Sequence, residues 1–311
     1  MFETAIEAVL AASHVCREVQ RRLVEGAALE KGDKSPVTVA DFASQAVVSH
    51  LLGTEFPLVG EEDAALLREN PDMADKVVAC VRSVIPDISA EEVLDAIDRG
   101  THEGGAEGSF WVLDPIDGTK GFLRMDQYAV ALALVTDGKP VLGVLGCPNL
   151  DGGLLFAARA GQGCLQRTLE EDATMVPAEV DDVAAVSEAR FCESVESGHS
   201  RHDHAALIAE KLGITTDPYR IDSQCKYAAV ARGDASIYLR LPTRKDYVER
   251  IWDHAGGWMV VTEAGGQVTD VTGKPLDFSL GRGLEANKGV VVTNGRFHDE
   301  VITAVRAVLE I

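Results

Sequence analysis

The sequence predicts a mixed fold of two domains, an α+β half over residues 1–178 built on an antiparallel sheet and a layered α/β half over 179–311. Three observations predict it. The 311 residues exceed one ordinary domain length, so two moderate domains with sizeable cores are expected. The hydrophobic period changes from helical to strand-like near Phe110, and beyond an acidic stretch at Glu170–Asp182 helices and strands alternate.

Residues 2–24 carry Ile6, Val9, Leu10 and Val19 among Glu3, Glu7, Arg17 and Arg21, a helical pattern rather than that of a signal peptide. A second helix is expected over 40–52 and shorter ones through 62–85. Ser89-Ala90-Glu91-Glu92 has the form of a capping box, and Gly100 supplies a stop. Pro57-Leu58-Val59-Gly60 reads as a short strand running into Glu61-Glu62-Asp63, which puts carboxylates at a strand end. Phe110–Leu113, Tyr128–Val135 and Val141–Leu145 read as strands separated by Asp-Gly and Gly-Lys-Pro turn signals. Leu154–Ala157 and Gly163–Gln166 extend the same antiparallel sheet, and the featureless run 170–182 reads as the domain junction. Helices are then expected at 201–212, 224–232, 253–264 and 297–309, with strands at 235–240 and 289–293.

An apolar fraction of 46% and a charged fraction of 25% are ordinary globular usage, which argues against a disordered or coiled-coil chain. The longest apolar runs fall far short of the roughly 20 residues of a membrane-crossing helix, so no membrane partner is expected. Six scattered cysteines without a Cys-x-x-Cys pair fit reduced thiols in the cytoplasm. The net charge of −21 opposes binding to polymeric nucleic acid. A phosphorylated small substrate would need that repulsion cancelled locally, and divalent cations are the natural means.

The chemistry centres on Asp114-Pro115-Ile116-Asp117-Gly118-Thr119. Proline keeps the residue before it extended and glycine permits a sharp turn, so the two carboxylates are free to converge. Converging hard oxygens suit magnesium. Alone, such a run is more often a solvated turn than a metal site. Glu61-Glu62-Asp63 and Asp253, at a helix start in the other half, add carboxylates to it. His199, His202 and His204 raise the idea of a zinc site, but they do not share one helix face cleanly and lack further ligands beyond Asp203. His202 and His204 are read as helix-surface residues.

Gly60-Glu61-Glu62, Trp111 through Thr119, and Trp252-Asp253-His254-Ala255-Gly256 resemble, in order, the three motifs of the inositol monophosphatase-like superfamily of metal-dependent phosphatases. A narrower likeness, to the 3'(2'),5'-bisphosphate nucleotidase (PAP phosphatase) family, rests on further runs. These are Asp33 through Asp41, Gly118 through Arg124, Glu196 through Ser200, Asp222 through Tyr227 and Tyr238 through Pro242. The resemblance implies a layered αβαβα sugar-phosphatase sandwich, with most metal ligands in the first domain and Asp253 and nucleotide contacts in the second.

It further implies two or three Mg2+ ions per active site, held by Glu61, Asp114, the carbonyl of Ile116, Asp117 and Asp253. Asp41 and Thr119 would be the catalytic pair that orients and deprotonates the attacking water. Gly118, Thr119, His199, Ser223, Lys226, Arg240 and Asp253 would contact the substrate. The implied reaction removes the 3'-phosphate of adenosine 3',5'-bisphosphate (PAP) to leave AMP, and treats its sulfated form, PAPS, alike; inhibition by lithium is implied too. The alternatives are an inositol polyphosphate 1-phosphatase or other sugar phosphatase on the same scaffold, and a non-catalytic nucleotide sensor. A monomer and a homo-oligomer both remain open.

Overall fold

A computed structural model of the chain describes residues 1–25, 35–170, 172–195, 202–242, 244 and 246–311. In chain order the first part runs α1 (Phe2–Glu25), α2 (Ser35–Leu52), β1 (Leu58–Gly60), α3 (Ala65–Glu69), α4 (Pro71–Arg82), α5 (Ala90–Asp98) and β2 (Ser109–Asp117). It continues with α6 (Thr119–Leu123), β3 (Ala129–Thr136), β4 (Lys139–Cys147), β5 (Leu154–Arg159), β6 (Cys164–Thr168) and β7 (Val176–Ala178). The second part runs β8 (Phe191–Glu193), α7 (His202–Leu212), β9 (Tyr219–Arg220), α8 (Cys225–Ala231), β10 (Ile237–Arg240), a 3-10 turn (Ile251–Asp253), α9 (Ala255–Glu263), β11 (Gln267–Thr269), β12 (Val290–Thr293) and α10 (His298–Leu309).

Strands β1 to β7 form one sheet in sequence order, and β11-β12-β10-β8-β9 form a second. Alternate residues of β2 and β3 explain how the first sheet sits between two helical layers. Trp111, Leu113, Val130, Leu132 and Leu134 pack with α1 and α2, whereas Phe110, Val112, Ala129, Ala131 and Ala133 pack with α8 and α9. Val290 and Val292 of β12 close the same central layer from the other side, while Val291 faces α7 and α10. The layers are therefore helix, sheet, helix, sheet, helix. Both sheets are covered on both faces, which is why their strands read as continuous apolar runs rather than alternating ones.

The capping box forms as the sequence indicates: Ser89 Oγ accepts from Glu92 N, and the Glu92 carboxylate accepts from Ser89 N. Three expectations change. The first sheet is not wholly antiparallel, because β1 pairs with β2 in parallel, Leu58 opposite Trp111 and Gly60 opposite Leu113. The stretch 170–182 is not featureless, since Val176–Ala178 adds β7 to the sheet edge. The short strands β8, β9 and β11, two or three residues each, are held by their neighbours in the sheet and are too brief to show a period. Among the described residues, no helix is long and apolar enough to cross a membrane.

Candidate active site

β2 continues through the acidic motif, and its irregularity builds the site. Asp114 stands opposite Ala131 and Asp117 opposite Ala129, so three steps along β2 match two along β3. In a regular strand residues three apart point to opposite faces. The extra residue of the bulge reverses that alternation and turns both carboxylates to one face. Pro115, which has no N–H to give the ladder, sits in the bulge, and its carbonyl accepts from the buried Ser44 hydroxyl of α2 at 2.8 Å. Gly118 then turns the chain at φ 94°, and a Cβ there would lie 2.8 Å from the Cβ of Ser223.

The parallel register carries β1 alongside β2, so that Glu61 follows immediately after the residue opposite Leu113. Its neighbours are pinned. The fully buried Gln45 accepts from Glu62 N at 3.1 Å and donates to the carbonyls of Glu62 at 2.6 Å and Ile97 at 2.9 Å. Gly60 N donates to Gly100 O at 2.8 Å. The other half of the site is tied by Gln224, whose backbone N–H donates to Asp117 Oδ2 at 2.5 Å. Its side-chain amide donates to Trp252 O at 2.9 Å and accepts from Gly257 N at 3.0 Å, which fixes the turn that ends in Asp253. Ser223, before it, holds φ 64°, an uncommon conformation for a residue with a Cβ.

Glu61, Asp114, Ile116, Asp117, Gly118, Thr119, Ser223, Lys226, Arg240 and Asp253 all line one cavity of about 310 Å³. Asp41 is not in its wall. It is buried, 7% exposed, and its charge bears on Asp114. His199 falls outside the described residues, as does the side chain of His202. His204 lies half-buried on α7.

The carboxylates repel one another strongly. Burial, then Glu61, Asp117, Asp253 and Asp41, push the Asp114 carboxyl well above its ordinary range. Burial, then Glu62, Asp253 and Asp117, raise Glu61 to about 7, although its side chain reaches solvent through the cavity mouth. Burial and Asp253 raise Asp117 to about 6, against the pull of Lys226, Arg240 and the Gln224 N–H. Asp41 is raised by burial and then by Glu62 and Glu61. Asp114 Oδ1 and Asp41 Oδ1 are buried without a hydrogen-bond partner. Crowded hard oxygens, one of them buried and unpartnered, are what a divalent cation needs and what a cation-free protein pays for in repulsion. The residues present thus fit a hard metal ion.

The same cavity is also lined by two cations, Lys226 and Arg240. Lys226, only 5% exposed, lies with Nζ 5.3 Å from the Tyr238 ring centroid; burial lowers its pKa while Asp117 resists that shift. Arg240 reaches Glu249 at 2.7 Å, Asp253 at 3.1 Å and the Tyr247 hydroxyl at 3.4 Å. Burial works against its charge, but Asp253 and Glu249 outweigh it. Burial would raise Glu249, yet His254, which bonds it at 3.3 Å, and Arg240 hold it down to about 2. His254 is set in turn by the Tyr227 hydroxyl at 2.7 Å. Glu249, Asp253 and His254 bring ligand-type atoms within 4.8 Å of one another, but Arg240 already serves both carboxylates there.

Sequence reasoning passed over Gln45, Gln224, Tyr247 and Glu249. Gln224 lies inside a run that carried the narrower likeness, so its neighbours were the available signal. The others act through contacts with residues distant in sequence.

The sequence model of the inositol monophosphatase family matches residues 1–310. A 3'(2'),5'-bisphosphate nucleotidase of Schizosaccharomyces pombe is 45% identical, over 98% of this chain and 95% of its own. 3'(2'),5'-bisphosphate nucleotidase 1 of Arabidopsis thaliana is 46% identical over the same shares. The solved inositol monophosphatase of Anabaena superposes with a TM-score of 0.65 at 22% identity, over 98% of this chain and 95% of that one, which is a likeness of fold.

Proposed function

This chain belongs to the inositol monophosphatase family, and from that premise we propose that it is a 3'(2'),5'-bisphosphate nucleotidase that hydrolyses the 3'-phosphate of PAP, and of PAPS, to leave the 5'-nucleotide. The observation that carries the reading is one cavity lined both by four carboxylates, Glu61, Asp114, Asp117 and Asp253, and by two cations, Lys226 and Arg240. A monophosphate needs only the carboxylates and the cations they hold. A bisphosphate has a second, unreacting phosphate, for which Arg and Lys side chains are the natural partners.

Two or three magnesium ions are the cofactor in this reading, held by those four carboxylates and the Ile116 carbonyl. Bound there, they supply charge neutralisation and ease the deprotonation of water. Asp41 has an unpartnered oxygen and a raised pKa, so it suits a base that takes the proton from the attacking water through the Thr119 hydroxyl at the cavity wall. Ser223 and Gly118 fix the depth at which the ribose-phosphate rests, and Lys226 and Arg240 hold the second phosphate. Attack is in line, without a covalent intermediate on the protein.

The division into domains 1–178 and 179–311 is supported by a first sheet that ends at Ala178 and a second that starts at Phe191. Six buried, unpaired thiols suit a reducing cytoplasm. A phosphate-release assay with magnesium over PAP, PAPS and inositol phosphates tests the function. Turnover of PAP to AMP is expected; preference for an inositol phosphate would establish the sugar-phosphatase alternative, and absence of turnover on all three the sensor.

A further inference from the structure

We propose that Arg282 is a positioning residue of the metal centre, locking the strand end that presents Glu61 to the turn that presents Asp253. This rests on the metal-dependent reading above. Arg282 lies in none of the motifs and does not line the cavity. Its guanidinium donates to three backbone carbonyls on the first sheet's side: Gly60 at 2.5 Å, Gly100 at 3.2 Å and His102 at 2.9 Å. Gly60 immediately precedes Glu61.

The same guanidinium lies 4.8 Å from the ring centroid of Trp252, which immediately precedes Asp253. The backbone of Arg282 completes the link, since its carbonyl accepts from Ile251 N at 3.1 Å and Leu284 N donates to Glu249 O at 2.8 Å. One side chain therefore joins the residue before one carboxylate ligand to the residue before another, across 192 positions of sequence between Gly60 and Trp252.

The geometry needs arginine. Three carbonyls are met by a planar fork of several N–H groups whose face stays free to stack, whereas a lysine ammonium would serve at most part of that set. Glu61 and Asp253 repel each other, so without a brace the two segments drift apart and the site loses its preformed spacing. Gln224 and Gln45 brace each segment separately, whereas Arg282 touches both.

The test compares magnesium binding by titration calorimetry with steady-state kinetics on wild type, Arg282→Lys and, as control, Arg250→Lys. Arg250 also lies over the Trp252 ring, at 5.7 Å from its centroid, and is not among the donors to those carbonyls. Arg282→Lys should weaken magnesium binding by about 10- to 100-fold, the usual effect of losing a group that orients metal ligands. Its KM for the nucleotide at saturating magnesium should stay within about twofold of wild type, because uniform substrate binding is untouched. Its melting midpoint in chelator should stay close to wild type.

Wild-type magnesium affinity in Arg282→Lys, or an equal loss in Arg250→Lys, would overturn the proposal. A melting midpoint in chelator that falls while the magnesium affinity of the folded protein holds would reduce Arg282 to a structural staple. If Arg282→Lys does not fold, Trp252→Phe takes its place. A weaker cation–π face should raise the magnesium dissociation constant about 2- to 5-fold, and an unchanged constant would overturn the idea. A wild-type protein that binds no magnesium would instead refute the metal-dependent reading itself.

Discussion

Replacing Asp117 by Asn removes one of the four carboxylates gathered in the proposed metal site and keeps an oxygen for the Gln224 N–H. In the cation-free protein the Asp117 carboxyl is moved from its ordinary 3.8 to about 6, by burial first and Asp253 next. A carboxyl whose folded pKa exceeds its unfolded one keeps its proton longer when folded. Stability therefore falls as pH rises from 3.8 to 6, and the cost is constant above that. At about 1.4 kcal/mol per unit, the cost is about 1 kcal/mol at pH 4.5 and about 3 kcal/mol above pH 7.

With an unfolding entropy of about 2.1 cal/mol/K per residue, 3 kcal/mol in a chain of 311 residues corresponds to about 5 °C. In chelator at pH 8, Asp117→Asn should melt about 5 °C above wild type, and at pH 4.5 only about 1 to 2 °C above it. Calorimetric scans of both proteins at each pH measure this. Taking the difference between the two removes His298, which burial lowers to about 4 and which gives the opposite slope, stability rising with pH up to its unfolded value. Magnesium should reverse the order by stabilising wild type far more than the variant. A variant less stable than wild type in chelator at pH 8, or a difference independent of pH, would refute the account of crowded carboxylates.

Asp41→Asn and Thr119→Ala should each lower kcat by about 100-fold or more, the scale of a lost general base, while calorimetry shows magnesium and AMP binding nearly intact; loss of binding alongside activity would make them structural. Lys226→Ala should cost about 10- to 150-fold in kcat/KM for PAP, the worth of a charge-assisted contact, and much less for a substrate with a single phosphate. A loss equal for both substrates would remove Lys226 from second-phosphate recognition.

The layered architecture and most of its elements were legible in the sequence because both sheets are buried on two faces. Strands such as Ala129–Thr136 and Val290–Thr293 are then unbroken apolar runs. Helix ends were legible where the signal is local, as at Ser89 and Glu92. What escaped was short or non-local. β7, β8, β9 and β11 are too brief for a period, and the parallel pairing of β1 with β2 depends on which partner the edge of β2 finds, not on the residues of β1.

The site divides in the same way. Residue types and order pointed to Glu61, Asp114, Asp117 and Asp253, since carboxylates next to Pro, Gly and Trp in those runs are visible as letters. The bulge that aims Asp114 and Asp117 the same way is not visible as letters, because it is a count of steps on β2 against steps on β3. Proline and glycine alone were credited with the convergence; in the structure they permit the bulge, and the register with β3 produces it. Gln45, Gln224 and Arg282 are further removed, because each acts on backbone atoms of segments tens to hundreds of positions away. The carboxylates of the proposed metal site are thus written in its motifs, while Gln45, Gln224 and Arg282 tie the backbone beside them from outside those motifs. On the proposed reading, a chain that kept the four carboxylates and lost those groups would read the same and should hold magnesium poorly.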